Sequence, residues 1–236
     1  EKNKSRIYNN IGISFIQLKD YKKAETYMLQ SLNLCKKYDI QRGVQYSLGN
    51  LGIIYKNLGD PDQAIEMYKE SIVLNKELND TFSLQRNFGN IGALYEEQEQ
   101  FVPALDNYQK GLDIAKQLND EFLEAIAEHN LASVHSKLGN YEIAHRRYTH
   151  ALQMVENTSH TDLQKNLYNG LANNYEKLGN YKKALQSKQK YEVLKDSING
   201  LEHLKNIEEL EIKYESSKKE NQILSLSKEK LQAQIN

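Results

Sequence analysis

The chain has no tryptophan, two prolines and one cysteine, Cys35, among its 236 residues. A single cysteine excludes an internal disulfide and leaves the redox compartment open. So few prolines suit helices that run without interruption. Charge of one sign is also lacking: 31 basic residues face 32 acidic ones, for a formal net charge of -1. That balance supplies no electrostatic reason to expect nucleic acid or an acidic membrane surface as partner. No apolar run approaches the roughly 18 residues of a membrane span. The start, EKNKSR, has neither methionine nor a signal-peptide pattern. The chain is therefore expected to be soluble as it stands and to be a piece of something longer. Its apolar content of 39% is low for a compact globule and suits an elongated shape with a thin, continuous core.

The motifs of catalysis are missing too. There is no Gly-x-Ser-x-Gly, no HExxH, no paired-cysteine motif, and no phosphate-gripping glycine loop after a strand. Cys35, late in an expected helix and without a histidine near it in sequence, reads as a small packed residue. Five of the six histidines (His129, His135, His145, His150 and His160) crowd one stretch, but none pairs with another at the helical spacing of 3 or 4 that a metal site favours. Neither a metal, a cofactor nor a catalytic residue is expected in this segment.

What the chain does have is a period of forty. Asn10, Asn50, Asn90 and Asn130 recur at that spacing, and the fifth slot holds Gly170. Ala24, Ala64, Ala104, Ala144 and Ala184 keep it throughout. Further columns are Ile11, Leu51, Ile91, Leu131, Leu171; then Gly12, Gly52, Gly92, Ala132, Ala172; then Phe15, Tyr55, Tyr95, His135, Tyr175. Each copy divides into two helices. Gly59, Gly139 and Gly179 can supply the left-handed residue that closes the first, and Asp20, Asp60, Asn140 and Asn180 can cap the second. Pro61 follows its cap, where a missing N–H costs nothing. The glycine and alanine columns let the paired helices approach, and the aromatic column is expected to wedge between repeats.

This pattern resembles the tetratricopeptide repeat, which is marked by a large apolar residue, Leu-Gly, Tyr, Ala and a further aromatic. In the second copy these are Leu48, Leu51 with Gly52, Tyr55, Ala64 and Tyr68. The period of 40 is longer than the family's usual unit, and its terminal proline is absent. The resemblance implies an all-α fold, a right-handed α-solenoid of antiparallel helix pairs. Five repeats are expected at about 1–40, 41–80, 81–120, 121–160 and 161–199, and the long helix of 200–236 is expected to cap the array and to continue as a weak coiled coil.

In such an array the first helix of each pair lines the concave face. If the Leu51, Tyr55, Leu58 side is packed, then Tyr46, Gly49, Asn50, Ile53 and Asn57 fall on or beside the inner side. An asparagine amide offers two donors and an acceptor, a match for one peptide unit. Similar arrays hold the backbone of a bound peptide with an inner asparagine ladder, which implies that role for Asn10, Asn50, Asn90 and Asn130. Flanking them are Arg6, Tyr46, Arg86, Lys56, Asn57, Glu96, Glu97, Lys137 and His129, which would supply selectivity. The competing account has each asparagine bond a backbone carbonyl of a neighbouring helix and serve only the stack.

The string ELEIKYESSKKENQILSLSKEK looks like the segment that follows the repeats in bacterial tetratricopeptide sensor histidine kinases and related membrane-tethered regulators. That resemblance implies a non-catalytic sensory module with a peptide or protein ligand, homodimerisation through the C-terminal helix, and contact with a membrane only through a span outside this segment. The alternative is a cytosolic scaffold that assembles protein partners. Localisation follows the choice: periplasmic for the sensor, cytoplasmic for the scaffold.

Overall fold

A computed structural model describes residues 2–197 and 200. Among these residues there is no strand. Nine helices follow in order: α1 (Lys2–Gln17), α2 (Tyr21–Lys37), α3 (Gln41–Leu58), α4 (Pro61–Glu77), α5 (Thr81–Glu97), α6 (Phe101–Leu118), α7 (Glu121–Lys137), α8 (Tyr141–Val155) and α9 (Thr161–Lys177). A tenth, α10, runs over 181–197. From α1 to α9 each helix packs against its successor, while α1 also touches α3, α5 touches α7, and α7 touches α9. This is an α-solenoid whose odd-numbered helices sit side by side along one face. The expected coiled-coil helix of 200–236 lies almost wholly outside the described residues.

Two series of turns, each spaced by 40, build the stack. Gly59, Gly139 and Gly179 stand at φ of 84°, 78° and 71°, and Lys19 and Glu99 occupy the same slot at 59° and 58°. At the return turns Asp39, Asn79 and Asn119 also take positive φ. The side chains of Asp20, Asp60 and Asn180 accept the backbone N–H of Lys23, Gln63 and Lys183. Asn140 makes no such cap bond. Asp80 and Asp120 cap α5 and α7, whereas Ile40 leaves α3 without a side-chain cap.

The small columns serve one side chain. A Cβ on Gly52 would lie 2.5 Å from the ring of Tyr68, and one on Gly92 would lie 2.7 Å from that of Tyr108. These glycines therefore admit a buried tyrosine from the second helix of the same repeat. Tyr55, from the aromatic column, reaches back to Glu25 of the preceding repeat; burial and that hydrogen bond push its hydroxyl up to about 12. Two side chains depart from the expected faces. Gly49 is buried, close to Ser71 and Asn87, while Leu58 is 38% exposed. Leu58 is the last residue of α3, beside its left-handed cap, so the next helix no longer covers it.

Candidate functional site

The asparagine column runs along α1, α3, α5 and α7, the odd-numbered helices that stand side by side on the face expected to be the inner one. Asn10 is exposed; Asn50, Asn90 and Asn130 are half-buried. The amide of Asn50 donates to Oδ1 of Asn9 at 3.4 Å. Asn90 meets the hydroxyl of Tyr68, which burial pushes up in pKa while the charge of Arg86 and the hydrogen bond with Asn90 act in the opposite sense. Asn130 Oδ1 lies 3.1 Å from Nδ1 of His129. Each of these bonds is to another side chain, so each amide keeps capacity for a further partner.

His129 is thereby placed as a support for Asn130. Its ring is half-buried and meets Tyr148 edge-on at 5.7 Å, and burial lowers its pKa against the pull of Asn130 and Glu96. Asn57 is exposed and donates back to the carbonyl of Ile53 at 2.7 Å. Tyr46 is 44% exposed.

The flanking charges are engaged with one another. Lys56 on α3 bonds Glu97 on α5 at 2.7 Å, and Lys137 on α7 bonds Glu96 on α5 at 2.9 Å. Both pairs join consecutive inner helices. Glu96 is the hub: it also accepts from Tyr108 at 2.8 Å and from Ser133 at 2.7 Å. Burial alone would raise its carboxyl, but the bonds from Lys137, Ser133 and Tyr108 outweigh it and hold the group below the usual range.

Two cavities open among these residues. One of about 510 Å³ lies between α1, α2 and α3, where Arg6, Asn10 and Tyr46 are joined by Lys2, Asn9 and Arg42. No carboxylate lines it. The other, of about 350 Å³, lies between α5, α6 and α7 and brings Asn90, Asn130 and Arg86 together with Phe82 and Gly89. Lys2, Asn9, Arg42, Phe82 and Gly89 were not singled out from the sequence. Arg42 and Phe82 stand four residues before Tyr46 and Arg86, one helical turn away on the same face, so the spacing rule used for their neighbours would have found them.

A mixed cluster escaped the search for histidine pairs: one ligand atom each from Glu124, Glu128 and His150 lies within 4.8 Å of the others. Cations of the chain already occupy it, with Arg147 at 2.6 Å from Glu128 and Lys116 at 3.7 Å from Glu124. It reads as an ion-pair cluster between α7 and α8.

A family profile described as tetratricopeptide repeat matches residues 3–77, 44–117 and 123–192. No curated protein matches the chain in sequence. Similar solved structures include BtubC (BKLC) from P. vanneervenii, at a TM-score of 0.71 and 18% identity over 80% of this chain and 78% of that one. The apo form of RapI has a TM-score of 0.73 at 18% identity, over 82% of this chain and 54% of that one. The MamA protein has a TM-score of 0.58 at 21% identity, over 83% and 94%. Identities this low establish a shared fold.

Proposed function

The chain belongs to the tetratricopeptide repeat family, and from that premise we propose that it is a non-catalytic module that binds an extended segment of a peptide or protein along its inner face. The observation that carries this reading is the run of Asn10, Asn50, Asn90 and Asn130 along the inner helices, next to two cavities whose linings contain arginine and no carboxylate. Amides at one-repeat intervals suit the repeating polar groups of an extended backbone. Arg6, Arg42 and Arg86 make no direct ion pair among the described residues, although the charge of Arg86 reaches Asp80, and this cationic lining favours an acidic ligand.

Two settings suit such a module. In the sensory setting, ligand binding changes the curvature of the solenoid and the change passes to the segment after residue 200. The scaffold setting uses the same face to gather partners, and the fold is equally compatible with it. The sensory setting draws its support from the resemblance of ELEIKYESSKKENQILSLSKEK to the post-repeat segment of tetratricopeptide sensor kinases. A hydrophobic span encoded just past Asn236 would favour the sensor, and a stop codon there the scaffold.

Asn50→Ala and Asn90→Ala test the binding role. Asn50→Ala deletes one long side-chain bond at a partly exposed position and should cost at most about 1 kcal/mol, whereas Asn90→Ala removes the partner of the buried Tyr68 hydroxyl and should cost about 1–3 kcal/mol. Ligand affinity should fall together with the amides. A large loss in melting temperature with unchanged binding would assign the asparagines to the stack alone.

A further inference from the structure

We infer that the cavity between α5 and α7 is a specificity pocket for one apolar side chain of an acidic, extended peptide. The inference rests on the peptide-binding reading above and names the chemistry of its ligand.

The cavity exists because three columns turn small together. At the preceding junction the corresponding space holds Ile53 and the pair Ser71 and Asn87, joined by a hydrogen bond of 2.9 Å. One repeat later those positions are Ala93, Gly111 and Ala127, and all three line the cavity. At the following junction the third of these columns turns large again, with Leu167 fully buried. Gly89 completes the opening: a Cβ built on it meets nothing within 4 Å, whereas its counterpart one repeat on is His129, packed against Tyr148.

The walls are apolar, from Phe82, Ala93, Tyr108, Ile126 and Ala127. Phe82 stands 55% exposed at the rim. The polar groups are few and converge. Asn90 and Asn130 flank the mouth on neighbouring inner helices, and Arg86 stands on the turn before Asn90 with no carboxylate among the lining residues. Gln85 also lines the cavity and is 6% exposed. Its counterpart Gln45 donates to Asp80. About 350 Å³ is at the small end of ligand pockets. It suits one anchoring side chain such as Leu, Ile, Met or Phe, held while Asn90 and Asn130 grip the backbone on either side and Arg86 takes a neighbouring Asp or Glu.

Selection of random linear peptides displayed on phage, against the immobilised 236-residue chain, supplies the probe. The peptides retained should share one large apolar residue next to Asp or Glu. A Cβ on Gly89 meets nothing within 4 Å, so Gly89→Leu has room to extend into the mouth and replaces a poor helix former by a good one, and the protein should melt no lower. It should weaken the selected peptides by roughly 10-fold or more, the scale of a lost anchor. Arg86→Gln should relax the preference for an acidic neighbour. Peptides that depend on Asn50 and bind Gly89→Leu undiminished would overturn the pocket and leave the inner-face reading standing. Selection of basic peptides, or of peptides with no common apolar residue, would overturn the pocket too. Failure to retain any peptide would overturn both.

Discussion

At position 132 the chain carries alanine where 12, 52 and 92 carry glycine, and the tyrosine opposite responds. Tyr68 lies over Gly52 with its hydroxyl toward Asn90. Tyr148, denied that room by Ala132, instead approaches Gly170, where a Cβ would lie 2.6 Å from its ring. Gly170 thus stands where the ring of Tyr148 leaves no room for a Cβ, and the asparagine column stops there. The break at Gly170 was legible in the sequence, but its cause lay in two columns that meet only through a tyrosine. Gly52→Ala should cost roughly 1–3 kcal/mol, the usual penalty of overpacking. Adding Asn90→Gly should return part of that by admitting the ring of Tyr68 as Gly170 admits that of Tyr148. A double-mutant cycle by urea denaturation measures the coupling, and strict additivity of the two changes would refute the exchange. Lys19 and Glu99 mark another limit at this scale: the period places a turn in all five copies, but a glycine marks the left-handed slot in only three, and these two residues take it without being glycine.

Between helices, the charges tell a different story from the one their spacing suggests. Lys56, Glu96 and Lys137 look like free selectivity groups when the inner face is drawn residue by residue. Their partners stand 41 positions away, one repeat plus one residue, and tie α3 to α5 and α5 to α7. A period of 40 reports which residues share a column and is silent on pairs that slant between columns. Acid should test this network in two stages. His129 and His135 have pKa values lowered by burial, so the unfolded chain takes up protons first as pH falls through about 6.5. Stability should therefore decline below that pH, and His129→Gln should flatten the decline. Glu96 has the opposite chemistry and the same direction of loss. Its folded pKa is depressed, so the stability it contributes is complete above the unfolded value near 4.3 and disappears as pH falls toward the folded one. Urea midpoints between about pH 8 and 3 resolve the two stages. A midpoint that stays level from neutral pH down to about 5 would contradict the histidine stage.

Across the whole molecule, the columns of small, aromatic and apolar residues were sufficient to read an array of helix pairs, because each column has one packing task that recurs. The site was less legible for the same reason. The proposed pocket arises where columns change, at Ile53 to Ala93, Ser71 to Gly111 and Asn87 to Ala127, and the asparagine run ends where Asn130 gives way to Gly170. A reading that looks for agreement among repeats passes over these positions. If the asparagines hold a ligand as proposed, the last of them makes the inner face a ruler. On the proposed binding reading, a ligand backbone that advances by one repeat would find an amide at Asn10, Asn50, Asn90 and Asn130, and at the next interval the phenol ring of Tyr148 closed over Gly170. Affinity measured against a series of lengthening peptides should rise while rungs remain and then reach a plateau, so that the protein registers how long a segment is as well as what it contains.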